Sequence, residues 1–180
     1  MTTPAPLLDL SGGTATHCAG GICAVPDSPA EHDRRDTMNS TISAERRFEV
    51  LDVLYRYATG IDTRDWDLFR AVFTDDVEVD FGFARWESGD AFTAFMRETH
   101  EPAGRTLHRM TNTVITGVEP LAARTYGDAV VLQGDDLTGT IANARYDDEF
   151  VQTEAGLRIC RRVVRMGSMV SIGPNLAATL

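Results

Sequence analysis

The chain has 180 residues, 43% of them apolar, which suits one domain with a sizeable core and argues against wholesale disorder. Its 27 acidic residues outnumber 17 basic ones, all arginine, for a net charge of −10. Such a surface repels phosphate backbones and anionic bilayers, so nucleic-acid and membrane partners are disfavoured, and the lack of lysine excludes Schiff-base catalysis by that residue.

Residues 1–40 hold Pro4, Pro6, Pro26 and Pro29 with two Gly-Gly pairs and show no helix or strand period, so they read as a flexible tail. Cys18 and Cys23 in that stretch match no zinc spacing, and with Cys160 they make no disulfide framework. No apolar run reaches the length of a membrane span, and no secretory signal is legible, so a soluble cytoplasmic protein is expected.

A domain is predicted over residues 41–170, with 171–180 as a C-terminal tail. Ser43 is placed to cap a helix in which Val50, Val53, Leu54, Tyr57 and Ile61 form one apolar stripe, fraying near Gly60. A second short helix follows, capped by Asp62 or Thr63 and burying Trp66, Phe69, Ala71 and Phe73. Residues 76–83 alternate as a half-buried strand. A third helix spans Gly89 to about Glu101, stopped by Pro102 and Gly104. Strand patterns then cover 105–118, 122–132, 138–151 and 157–169 with tight turns between them, which predicts an antiparallel meander. The fold class is α+β: a bent sheet with helices on one face and a pocket at its mouth.

Several residues could carry chemistry. His108 shares a strand face with Met110, Asn112 and Val114, read as the inner one; it is either a hydrogen-bonded core histidine or a general base. Asp62 is either a helix cap or a carboxylate that orients a histidine. Tyr57 lies on the apolar stripe, and its hydroxyl needs a partner in the core or in a pocket. Asp128 shares a face with Tyr126, Val130 and Leu132; burial there would raise its pKa, whereas an outward face would leave it solvated. One of Arg161 and Arg162 must point inward. Alternation splits Asp147, Asp148 and Glu149 between two faces, which disfavours a metal cluster. Cys160 reads as a small buried hydrophobe. P-loop, dinucleotide, zinc-protease and serine-elbow motifs are missing, so no metal and no cofactor is called for.

Four stretches carry a family resemblance: residues 55–67, 72–81, 107–112, and 144–150 with 156–159. In order and spacing they resemble the SnoaL-like branch of the nuclear-transport-factor-2-like superfamily. The resemblance implies a cone-like curved antiparallel sheet wrapped around a pocket by N-terminal helices, and a homodimer. In dehydratase-like members, a Tyr-x4-Asp pair at the end of the first helix works with a histidine on the first long strand, and Tyr57, Asp62 and His108 match that arrangement. Asp128 corresponds loosely to a further pocket carboxylate. The pocket so implied would be lined by Trp66, Phe81, Met110, Asn112, Tyr126, Gln133 and Tyr146. Gln133 lies near the place of a second pocket histidine in scytalone dehydratase, so that enzyme's own reaction is not implied. The expected function is His/Asp acid–base chemistry for dehydration, cyclisation or isomerisation of a polyketide-, aromatic- or steroid-like substrate. The alternative is a non-catalytic ligand-binding protein or a dioxygenase small subunit.

Overall fold

The computed structural model of the protein describes residues 42–134 and 138–173, so the N-terminal segment with Cys18 and Cys23, and residues 174–180, lie outside it. Three helices precede or interrupt a six-stranded sheet. They are α1 (Ala44–Thr63), α2 (Trp66–Arg70) and α3 (Gly89–His100). The strands are β1 (Phe73–Asp80), β2 (Arg85–Trp86), β3 (Thr106–Val118), β4 (Leu121–Leu132), β5 (Gly139–Thr153) and β6 (Gly156–Ile172). The curved, unclosed sheet has the order β2-β1-β6-β5-β4-β3.

The Ser43 hydroxyl accepts from the Arg46 N–H and starts α1. The helix runs through Gly60 rather than fraying there, because Gly60 is a contact point: a Cβ would stand 2.8 Å from the Phe69 backbone nitrogen. Arg64, in the left-handed conformation at φ 59°, ends α1. The cap of α2 is Asp65, whose carboxylate accepts from the Leu68 N–H, so Asp62 and Thr63 belong to the last turn of α1 instead.

β3, β4, β5 and β6 form the predicted antiparallel meander, and β6 runs through Ile172, past the expected boundary at 170. β1 begins at Phe73, earlier than its alternation suggested, and ends at Asp80. It pairs in parallel with β6, the one departure from an antiparallel sheet. Long chain separation between β1 and β6 permits this, since α3 and four strands lie between them.

The inner face of the sheet and the helices enclose one main core. Phe69, Phe73 and Phe92 contact one another in it with ring centroids 5.3–5.6 Å apart. Each such ring contributes roughly 1.5–3 kcal/mol by leaving water. Arg162 and Asp148 face each other across β5 and β6 in this core, with both side chains 0% exposed. Their two bonds measure 2.7 and 2.8 Å. Alternation sends Arg161 outward to Glu149, and Asp147 outward to Arg124. Cys160 is a free thiol beside the Glu149 carbonyl.

Candidate active site

The site forms where the end of α1 meets the start of β3. Asp62 lies about 100° round the helix from buried Ile61, at the edge of the apolar stripe, so its carboxylate can leave the core and reach the sheet. There Asp62 Oδ1 lies 2.7 Å from His108 Nδ1, and Oδ2 accepts from the His108 backbone N–H at 2.7 Å. The Thr106 hydroxyl donates to Oδ1 at 2.9 Å. Arg64 braces this arrangement through Thr106 Oγ1 at 2.9 Å, the Gly104 carbonyl at 3.0 Å and the Ile61 carbonyl at 2.7 Å.

Burial pushes the Asp62 pKa up, but the ring and backbone hydrogen bonds of His108, its charge, and Thr106 outweigh that and hold the carboxyl below the usual carboxylate value. A carboxylate accepts only, so His108 Nδ1 carries the hydrogen and Nε2 is the nitrogen left for chemistry.

His108 lines a cavity of about 300 Å³ between α3 and the inner face of the sheet. Cross-strand pairing explains the space. His108, Ala129 and Ala142 lie side by side on β3, β4 and β5, and Met110, Gly127 and Ala144 form the next row. Four of these six side chains are methyl or hydrogen, so the sheet has no bulk to fill its own concavity. Tyr57 and Tyr146 stand at one end, Phe95 and Met96 of α3 form the facing wall, and Phe83 and Met169 are at the mouth, 70% and 67% exposed.

Tyr57 and Tyr146 are buried, with ring centroids 6.2 Å apart. Burial pushes both phenol pKa values up, so both remain protonated donors. The Arg162 guanidinium lies behind them, 4.2 Å from the Tyr57 ring centroid and 5.0 Å from that of Tyr146. Burial opposes the Arg162 charge, but Asp148 more than offsets it, and the guanidinium stays cationic.

Tyr57, Phe81, His108 and Tyr146 line this cavity, with Asp62 immediately behind. The structure separates the other expected residues from it. Asn112 sits in the left-handed region at φ 51° in a bulge that shifts the register, so the facing reverses after it. Thr113 and Ile115 turn inward, whereas Asn112 and Val114 are exposed. On β4 the inner face carries Thr125, Gly127 and Ala129, which places Tyr126 and Asp128 on the outer face. Asp128 therefore points away from the His108 cavity: in the alternating strand the inner set is the small one, and its apolar neighbours Val130 and Leu132 also lie on the outer face. Trp66 is buried between helices, where its Nε1 donates to Glu101. Met110 packs in the core beside Gly127. Gln133 is exposed where the β4–β5 connection begins. Sequence reasoning missed His100, which ends α3 and lines the cavity, and Arg64. The spacing of His100 from Met96 by one helical turn was the available signal.

Among the described residues no cluster of three or more His, Cys, Asp or Glu side chains could hold a metal ion, and no helix is long and apolar enough to cross a membrane.

Residues 43–163 match the SnoaL-like domain. No curated protein matches the chain. Among solved structures, a candidate aromatic ring hydroxylase from Novosphingobium aromaticivorans is 23% identical, with TM-score 0.66, over 73% of this chain and 96% of its own. A candidate scytalone dehydratase from the same species is 19% identical, with TM-score 0.64, over 69% of this chain and 85% of its own. ActVI-ORFA from Streptomyces coelicolor is 20% identical, with TM-score 0.58, over 67% of this chain and 96% of its own. At these identities the likeness establishes the fold.

Proposed function

This chain belongs to the SnoaL-like domain family, and from that premise we propose that it is a cofactor-independent enzyme, a dehydratase, cyclase or isomerase, acting on a small, largely apolar substrate in the His108 cavity. The observation that carries the reading is the Asp62–His108 pair: a 2.7 Å contact fixes the ring, and its other nitrogen belongs to a residue that lines an apolar cavity.

In this reading His108 Nε2 removes a proton from a carbon next to a carbonyl or phenol. The electron pair moves to that oxygen, and the Tyr57 hydroxyl donates to the oxyanion. Asp62 offsets the charge of the imidazolium so formed. Return of the proton to a departing hydroxyl gives water and a new double bond; return to another carbon gives an isomer; attack of the carbanion on a second carbonyl closes a ring. A positioned base contributes about 10²–10⁴-fold, and an oxyanion donor a comparable amount. Similarity to a scytalone dehydratase and to ActVI-ORFA points toward aromatic or polyketide-like substrates. The protein would work in the cytoplasm as a homodimer.

The test is hydrogen exchange. Phenolic and polycyclic ketones that raise the melting temperature are incubated with the protein in D₂O. The wild type should exchange the hydrogens next to the carbonyl, and His108→Ala should exchange them at least about 10²-fold more slowly. Equal rates in the two would leave the non-catalytic, ligand-binding reading.

A further inference from the structure

We infer that His100 is a second substrate-contacting residue, whose uncharged imidazole accepts at Nε2 a hydrogen bond from a hydroxyl group of the bound molecule. The inference rests on the His108 cavity being the working site. It adds a requirement on the ligand: an apolar frame that carries a hydroxyl.

His100 is the last residue of α3 and lines the same cavity as His108. The two ring centroids are 5.6 Å apart, with planes inclined by 50°. His100 Nδ1 lies 2.9 Å from the Met96 carbonyl oxygen, one helical turn back. A carbonyl accepts only, so Nδ1 carries the hydrogen and Nε2 of the neutral ring is bare. The Thr99 hydroxyl, 2.9 Å from Nδ1, donates to the Phe95 or Met96 carbonyl at 3.0 or 3.1 Å and so supports the same tautomer. Among the described residues no protein group bonds His100 Nε2.

The surroundings keep this ring neutral. Burial disfavours its cation most. The Met96 carbonyl and Asp62 at the end of α1 favour it, while His108 on β3 and Arg64 after α1 oppose it. The net effect holds the His100 pKa below the usual histidine value. A proton taken up by His108 would disfavour a His100 cation further. The cavity thus contains two imidazoles tied back through Nδ1 to different partners. One is backed by a carboxylate and can gain charge; the other is backed by a carbonyl and remains an acceptor. Once an apolar ligand displaces solvent from the cavity, a bare acceptor there stays unpaired unless the ligand brings a donor, and such a site discriminates against analogues that lack one.

The probe pair is 2-naphthol and naphthalene, which differ by one hydroxyl, titrated against the full chain. Wild type should bind 2-naphthol about 3- to 10-fold more tightly, the effect of one hydrogen bond. His100→Phe should erase the difference, and His100→Gln, which keeps an acceptor, should retain it. In ¹⁵N-histidine spectra the His100 Nε2 resonance should be unprotonated in the free protein and should move with 2-naphthol but not with naphthalene. A preference that survives His100→Phe and vanishes in His108→Ala would overturn the inference, as would a protonated Nε2, absence of 2-naphthol binding, or equal affinities in wild type. These readouts need no turnover, so they stand apart from the hydrogen-exchange test of His108.

Discussion

Asp62 takes both the backbone N–H and the ring Nδ1 of His108, each at 2.7 Å, so one carboxylate fixes the position of the strand and the orientation of its imidazole. Groups that act as a unit are not additive. His108→Ala and Asp62→Asn should each lower turnover by at least about 10²-fold, and the double variant should be little worse than His108→Ala. Tyr57→Phe should cost about 10-fold, since it removes one donor and keeps the ring. Additive losses in steady-state kinetics would show that Asp62 acts separately.

The same pair makes stability depend on pH. The Asp62 pKa is lower in the fold than the roughly 3.9 of an unfolded chain. Its contribution is therefore present above about pH 3.9 and lost as pH falls through the folded value. The His100 pKa is also lowered, from an unfolded value of about 6.5, but there the fold favours the neutral form. The unfolded chain then binds more protons in that window, so the contribution is full above about pH 6.5 and declines as pH falls through the folded value. Melting temperature against pH should flatten at the acid end in Asp62→Asn, and just below about pH 6.5 in His100→Phe.

Arg162 and Asp148 are fully buried, so removing one partner strands the other charge. Arg162→Met and Asp148→Leu should each cost about 3–5 kcal/mol, while the double variant should recover most of that loss. Urea unfolding of the three proteins would measure it. A double variant as unstable as the singles would mean that the ring contacts of Arg162 with Tyr57 and Tyr146, rather than the charge pair, hold the site.

Gly127 leaves room for Tyr146: a Cβ there would stand 2.7 Å from Tyr146 Cε2. Gly127→Ala should displace that phenol, cost about 1–3 kcal/mol by overpacking and weaken 2-naphthol binding. Unchanged affinity in the titration would remove Tyr146 from the binding surface.

The outer face of the sheet carries an apolar row in which Leu107, Val130, Ile141 and Val170 are successive cross-strand neighbours. Leu107 and Val170 are 49% and 57% exposed. Such a row needs a cover, and a second copy of the chain is the expected one. Light scattering at tens of micromolar should give about twice the 19.7 kDa chain mass; the chain mass itself would exclude the dimer.

Periodicity alone located α1, α3 and the four long strands, because a half-buried helix or strand must repeat its apolar residues at its own geometric period. The stripe through Tyr57 and Ile61, the shared strand face of His108 and Met110 and the split of Asp147 from Asp148 all follow from that rule. The Tyr57, Asp62 and His108 set came from family resemblance, since no local pattern distinguishes a capping Asp from one that orients a histidine. Only the tertiary structure decided that Asp65 caps α2 and frees Asp62 to reach β3, 46 residues away along the chain. The bulge at Asn112 reversed the facing of the second half of β3, and the parallel β1–β6 pair joined segments that periodicity treats independently. Alternation reports two faces of β4 without saying which is inner, so it leaves Asp128 open between a buried and a solvated face; the small residues Gly127, Ala129, Ala142 and Ala144 mark the cavity side, where space rather than bulk is needed. His100 was overlooked because its role depends on a ring approaching from β3, a contact that exists only once the helix packs against the sheet.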